Sequence, residues 1–327
     1  MIIPSVHFQD YNAKAFEDKC LELFHFQAKH NLTYNKFIQF LGVNPLEIQE
    51  VMEIPFMPIS FFKEFKIVST EEPTSKIFTS SGTTGSIPSK HYVADIALYH
   101  RQLDASFKHF YGDFQDYVVF PLLPAYAERS GSSLIDMVDY WMTKTGQENK
   151  NYYLYNHKQL AQDLLEAKLG NKKVILIGVS FALIDFAENF PMDLEGVTII
   201  ETGGMKGRKK EITRQELHKI LSQAFQVEHI QSEYGMTELL SQAYAQNNGL
   251  FQTPPWMQIL LRDPEDPFSY VPQGKSGGIN VIDFANVNSC AFIATDDLGR
   301  YHADNQLEIL GRFDNSDVRG CNLMVLS

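Results

Sequence analysis

The chain has only three cysteines in 327 residues, Cys20, Cys290 and Cys321, too few and too scattered for a disulfide framework or a structural zinc site. Basic charge is also short: 28 Lys and Arg stand against 40 Asp and Glu, for a net charge of -12. The one basic tract is Lys206-Gly207-Arg208-Lys209-Lys210, which argues against a nucleic-acid-coating protein and for small-molecule chemistry. Long apolar runs are missing. The longest, Val174 to Ile184, is eleven residues broken by Gly178 and Ser180, too short for a bilayer and readable as a buried strand running into a helix. No Lys or Arg precedes Lys14 and no small-residue cleavage site follows an apolar stretch, so the expectation is no secretory signal, no membrane span and a cytoplasmic location.

Apolar residues make up 44% and aromatic residues 13%, enough to bury a sizeable core. Ala13–Asn31 carries apolar residues at helical spacing, and Asn44-Pro45 reads as a cap followed by a first helical residue. Beyond Pro58, short apolar strands alternate with helical patterns. Strands are predicted at Lys76–Thr79, Tyr117–Leu122, Lys173–Val179, Val197–Glu201 and Val227–Gln231, and helices at Val93–Phe110, Ser133–Thr145, Lys158–Lys168, Phe181–Phe190 and Thr213–Ala224. Such alternation implies a mainly parallel sheet with flanking helices. From Met257 onward the pattern becomes strand-rich with turn signals, as in an antiparallel subdomain. No repeat or low-complexity linker divides the chain. The expected organisation is a helical segment over 1–65, an α/β core over 66–255 and a β-rich subdomain over 256–327.

The strongest local signal is Thr79-Ser80-Ser81-Gly82-Thr83-Thr84-Gly85, followed by Lys90 and His91. Glycines let backbone N–H groups turn toward an anion, hydroxyls add donors and Lys90 adds a charge, a composition suited to phosphate. Lys90 lies five residues past Gly85, so this is not the Walker-type loop. Three further stretches end or follow predicted strands, where open α/β sheets place ligands. These are Glu201-Thr202-Gly203-Gly204, then Tyr234-Gly235-Met236-Thr237-Glu238, then Thr295-Asp296-Asp297 with Gly311-Arg312 beyond it. Each alone is also an ordinary turn composition.

In this order the motifs resemble the adenylate-forming superfamily of acyl-CoA synthetases and adenylation domains, over about residues 76–320. The fold this implies is α/β, the large N-terminal domain of the adenylate-forming fold with a C-terminal antiparallel β subdomain. The resemblance implies that the Thr79–Gly85 loop and Lys90 hold ATP phosphates and that Gly203-Gly204 lies against adenine. It implies that Tyr234 stacks near the base, that Gly235 belongs to the nucleotide site, that Thr237 contacts the α-phosphate and that Glu238 binds Mg2+. Asp297 would take the ribose hydroxyls, and Arg312 would sit near phosphate and ribose. Leu122–Leu134 and the loop ending Pro88-Ser89-Lys90-His91 look like the acyl-protein synthetase (LuxE-type) branch, long-chain-fatty-acid–protein ligases. That branch implies a fatty acid activated as acyl-adenylate, passed to a C-terminal cysteine and then to a partner reductase. Cys321, six residues from the end, is the matching thiol. Its other reading is a small buried hydrophobe.

His91 is a candidate to orient the carboxylate or assist the thiol. Phe120, Leu123, Tyr126 and Leu134 are candidates to line an apolar acyl pocket. The sequence departs from the superfamily pattern at Ile87 and Ser89, which are extra, at Asp296, which replaces a glycine, and at Asn315–Val318, which lack the usual hinge lysine. The expectation is that the mobile C-terminal domain, with its catalytic lysine, is absent. Two alternatives stay open: an acyl-CoA ligase using coenzyme A, and a nucleotide-binding accessory module without turnover.

Overall fold

The computed structural model describes residues 2–80, 87–124, 130–148, 151–204 and 212–313. Its centre is the predicted parallel sheet: β4 (Tyr117–Leu122), β5 (Lys173–Val179), β6 (Thr198–Thr202) and β7 (Gln231–Tyr234) run parallel, and β8 (Ala243–Ala245) closes the edge antiparallel. In β5 every residue after Lys173 is buried, as a strand covered on both faces must be. The covering helices are α3 (Ile96–Phe110), α4 (Ser133–Lys144), α5 (His157–Lys168), α6 (Ser180–Asn189) and α7 (Arg214–Phe225). Their N-termini are satisfied by side chains where the sequence offers them: Asp95 caps Leu98, Ser132 caps Ile135, and Thr213 forms a capping box with Glu216.

The second sheet is antiparallel, in the order β10 (Met257–Arg262), β11 (Ser276–Asp283), β12 (Phe292–Tyr301), β13 (Leu307–Arg312) and β9 (Leu250–Phe251), with β1 (Met57–Pro58) added parallel to β12. The N-terminal helices α1 (Ala13–His30) and α2 (Leu32–Phe40) share a core with this sheet; Phe24 and Tyr34 pack on Phe292. A separate hairpin joins β2 (Lys76–Thr79) to β3 (Lys90–Val93).

Three boundaries differ from the sequence reading. Residues 227–230 are the turn after α7, where Gln226 adopts a left-handed conformation and the Val227 N–H returns to the Ser222 carbonyl, so the strand begins at Gln231. Lys90–Val93 pairs with β2, and the helix expected from Val93 starts at Ile96 behind its Asp95 cap. Thr295–Gly299 lies inside β12 rather than after it.

Between the sheets runs the segment 235–242, which has no ladder of its own, so side chains satisfy its backbone. Asp283, at the end of β11, accepts the Leu240 and Ser241 N–H groups, the Ser241 hydroxyl and the Ala285 N–H. Asn286 donates to the Glu238 carbonyl and accepts from the Leu240 N–H, and the Trp256 indole donates to Ser241 Oγ. Asp283 is fully buried, and burial pushes its carboxyl up against the opposing pull of those donors. Asp283→Ala would strand the Ser241 and Ala285 N–H groups and the Ser241 hydroxyl inside the protein and leave the Leu240 N–H to Asn286 alone. The expected cost is about 3 kcal/mol or more, read as a lowered denaturant midpoint at unchanged slope.

Candidate functional site

The site forms where the carboxyl ends of the parallel strands meet the second sheet. Strand order within the parallel sheet is sequential, so it contains no switch point of its own. The crevice is supplied by β12 and β13. The Tyr234 hydroxyl donates to Asp297 Oδ2 at 2.8 Å, and Arg312 Nε stands 3.8 Å from Asp297 Oδ1. Burial pushes the Asp297 carboxyl up, opposed by the Tyr234 hydrogen bond and the Arg312 charge. Arg312 is 87% exposed, which leaves its guanidinium fork open to solvent. The Tyr234 ring meets Phe251 edge-on.

β12 is itself held in place. Thr295 Oγ1 donates to the Ile279 carbonyl and accepts from the Asp297 N–H, and Arg262 donates to the Thr295 carbonyl. On the other side, Arg214 binds Glu201 Oε1 at 3.3 Å and donates to the Ile309 carbonyl at 2.7 Å, tying β6 to β13. Burial alone would push Glu201 up, but the His218 hydrogen bond and the Arg214 charge outweigh it and hold its carboxyl below the usual range.

The predicted residues fall into groups. Tyr234, Asp297 and Arg312 are brought together. Glu238 is buried and hydrogen-bonds the Ser89 side chain. Burial pushes its carboxyl up, against that hydroxyl and the charges of Arg312 and Lys63. The base of the glycine-rich loop is clipped by the Ser80 N–H to the Ser89 carbonyl and by the Ser89 N–H to Ser80 Oγ, while Thr79 donates to the Gly131 carbonyl. Lys90 is exposed directly across the hairpin from Thr79. Gly203 has a φ of +77°, which a side chain would strain, and a Cβ on Gly204 would meet open space. Ser81, Gly82, Thr83, Thr84, Gly85, Tyr126 and Cys321 lie outside the described residues.

Two expectations are corrected. His91 is 1% exposed and both ring nitrogens are engaged: Nδ1 lies 3.0 Å from the Thr237 carbonyl and Nε2 lies 2.9 Å from Ser289 Oγ. A carbonyl can only accept, so Nδ1 carries the proton. Burial lowers the imidazole pKa to about 4, so the ring is neutral and Nε2 accepts from Ser289. His91 therefore holds the Thr237 backbone from behind and presents no atom to a thiol or carboxylate. Phe120 and Leu123 are packed in the main core instead of lining a cavity, and Leu134 packs against that core. The cleft at this end of the sheet, about 370 Å³, is bordered by Pro124, Leu154, His157 and Ala182.

Sequence reasoning missed Asp283, Asn286 and Ser289, which sit in no motif, and Arg214, whose helix-start position hid its long-range role. Glu201 opens one of the quoted motifs and Glu233 directly precedes another, but both were passed over. Of the other cysteines, Cys290 is fully buried, and burial pushes its thiol up to about 12; Cys20 is buried and shifted the same way. Neither is poised as a nucleophile. Among the described residues, no three His, Cys, Asp or Glu side chains cluster to hold a metal, and no helix is long and apolar enough to cross a membrane.

A profile of the family described as acyl-protein synthetase, LuxE, matches residues 4–111 and 147–327. No curated protein matches the chain. Among solved structures, 2-hydroxyisobutyryl-CoA ligase with 2-HIB-AMP and CoA is 15% identical at a TM-score of 0.69, covering 92% of this chain and 68% of that one. ATP-bound MatB from Rhodopseudomonas palustris is 15% identical at a TM-score of 0.55, covering 72% of this chain and 47% of that one. These likenesses establish the fold, that of the adenylate-forming enzymes.

Burial raises the Glu233 carboxyl to about 7 from its ordinary 4.5, opposed by a hydrogen bond from Thr202 and reinforced by the Glu201 charge. The folded protein thus keeps this proton to higher pH than the unfolded chain does. Stability from this group falls as pH rises from about 4.5 to about 7 and is level above. Glu233→Gln removes that fall. The Tm of the variant relative to the unsubstituted protein is expected to rise across this window, measured by thermal unfolding; a pH-independent difference would contradict the assignment.

Proposed function

The chain belongs to the acyl-protein synthetase (LuxE) family, and from that premise we propose that it activates a carboxylic acid with ATP as the acyl-adenylate and transfers the acyl group to a thiol. The observation that carries this reading is the union of Tyr234, Asp297 and Arg312, drawn from three strands of two sheets, beside the Thr237-Glu238 turn. A ring edge, a buried carboxylate and an open guanidinium are what a nucleoside and its phosphates require.

The surroundings fit such a ligand. Gly204 faces open space, Gly235 is exposed, and among the described residues Asp297 Oδ1 is met by the distant Arg312 Nε. Asp297 would accept ribose hydroxyls, Arg312 and Lys90 would neutralise phosphate charge, and Thr237 would donate to the α-phosphate. Mg2+ would be held by Glu238 together with phosphate oxygens, the mode usual for a hard cation with few protein ligands, and would neutralise charge on the leaving pyrophosphate. The acid's own carboxylate oxygen is the nucleophile at the α-phosphorus, so the protein need supply no general base. Its work is positioning and charge neutralisation. This role suits the rigid support behind Thr237 supplied by His91.

The expected acid is a fatty or other carboxylic acid. The expected acceptor is Cys321, followed by a partner protein such as a reductase or carrier, with coenzyme A as the competing acceptor. The test is acid-dependent ATP–pyrophosphate exchange and intact mass after incubation with ATP, Mg2+ and a panel of acids. Exchange should fall by about a hundredfold or more in Glu238→Gln. Cys321→Ser should retain exchange yet lose the covalent acyl mass. Exchange without protein acylation, with product appearing on added coenzyme A, would replace the protein-ligase reading by the CoA-ligase one. No exchange with any acid would leave a nucleotide-binding accessory module.

A further inference from the structure

Residues 59–69 are fixed at both ends and pass beside the backbone that carries Thr237 and Glu238. At one end the Ile59 N–H donates to the Ala294 carbonyl, continuing the pairing of β1 with β12 just before Thr295. At the other the Ser69 N–H donates to the Asn288 carbonyl. In between, Phe62 of the short helix Phe61–Glu64 is buried, and its ring meets His91 edge-on at 5.5 Å. His91 is the brace of the Thr237 carbonyl. The residue after Phe62 is therefore carried on a fixed segment next to the Thr237-Glu238 turn.

That residue is Lys63. It is exposed, and among the described residues its ammonium has no ion-pair partner and no hydrogen bond. Its charge nevertheless acts on the buried Glu238 carboxyl, as does that of Arg312. Arg312 stands 3.8 Å from Asp297, on the ribose side of the proposed ligand. Lys66 lies over the Tyr92 ring, 5.3 Å from its centre, and alternation along β3 turns Tyr92 away from the His91 face. Lys90 shares that outer face with Thr79. Of these four cations, Lys63 is the one that acts on Glu238 and has no partner of its own.

The charge of the whole chain gives this position weight. A net charge of -12 repels a triphosphate in general, so attraction has to come from cations placed at the site itself. Lysine is a compact point charge with three donors on a flexible stem, suited to a phosphate group whose charge shifts during a reaction. In the proposed adenylation one oxygen of the acid's carboxylate forms a bond to the α-phosphorus. The bond from that phosphorus to the bridging oxygen breaks, and its electron pair leaves with pyrophosphate. No proton moves, so what the leaving group needs is positive charge.

We propose that Lys63 is a further catalytic residue: its ammonium contacts the β- and γ-phosphates of ATP on the Glu238 side and neutralises the charge that builds on the departing pyrophosphate. The inference rests on the adenylation reading above. It adds to that reading a cation that lies outside every motif of the site and is brought to it by the packing of Phe62 on His91.

The test uses the full chain with Lys63→Met, Lys63→Arg and Lys66→Met. In acid-dependent ATP–pyrophosphate exchange, Lys63→Met should lower kcat by about tenfold or more with KM for the acid unchanged, and Lys63→Arg should restore most of the loss. Lys66→Met, at another exposed lysine of the same segment, should stay within about twofold. Calorimetry separates contact from a structural effect. Inorganic pyrophosphate should bind Lys63→Met about tenfold more weakly, while AMP binds it as it binds the unsubstituted protein. The Lys63 side chain is exposed, so the unfolding midpoint should not move. Exchange by Lys63→Met at the unsubstituted rate overturns the inference and leaves adenylation standing. An equal fall in Lys63→Met and Lys66→Met, the mark of a diffuse surface field, also overturns it, as does pyrophosphate binding that Lys63→Met leaves intact. Absence of exchange by the unsubstituted protein with every acid overturns the adenylation reading and this inference with it.

Discussion

Residues 235–242 leave the parallel sheet after β7 and return to it at β8 without making ladder hydrogen bonds, and the rest of the site depends on how that stretch of backbone is satisfied. A buried loop with unpaired N–H and C=O groups would be untenable. Asp283 and Asn286 meet the Glu238–Ser241 end, and His91 meets the Thr237 carbonyl. These three partners come from β11, the short helix after it, and the β2–β3 hairpin. The hairpin that carries the glycine-rich loop is thereby keyed to the same backbone that carries Thr237 and Glu238. The neutral His91 is suited to this place, since a charged imidazole there would be buried without a counter-ion.

A second set of contacts fixes the distance between the sheets at their functional end. Arg214 and Tyr234 reach across from the parallel sheet and its helix to Ile309 and Asp297. The interaction of Arg312 with Asp297 is of another kind, long and solvent-exposed, and adds little to stability. That contrast suits the proposed division of labour, in which Arg214 builds the crevice and Arg312 meets what enters it. Glu201 on β6 and Glu233 on β7 show how one face of the sheet differs from the other. Glu201 has a guanidinium and an imidazole beside it and is held ionised, whereas Glu233 has only Thr202 and a repelling neighbour, and keeps its proton to near neutrality.

Local signals carried the elements well. Val174–Ile184 reads as strand into helix because its apolar run is strand-length and then turns helical, and β5 and α6 follow it. The strand placed at 227–231 failed because the helix before it ends through a left-handed Gln226, and β propensity does not register a capping turn. The strand Lys90–Val93 went unpredicted and its last residue was placed in a helix, because its pairing partner lies across a loop, where periodicity is blind. The same limit governs the site. Tyr234, Thr237, Glu238, Asp297 and Arg312 were legible because they sit in compact motifs whose order is distinctive. Asp283, Asn286 and Ser289 were not, since the first two act on backbone some forty residues or more away and the third on the distant His91 ring, with no spacing to betray them.

Sequence alone determined the fold class, the succession of a parallel sheet and an antiparallel one, and the family, because periodicity and motif order are properties of neighbouring residues. Tertiary structure alone decided which polar residues face the crevice and which merely support it. It moved His91 from reacting group to buried brace, and Phe120 and Leu123 from pocket wall to core. It also set the Lys63 charge against Glu238. The reason is that burial and hydrogen-bond partnership, which control protonation and access, are set by residues distant in the chain and brought together only when the sheets pack.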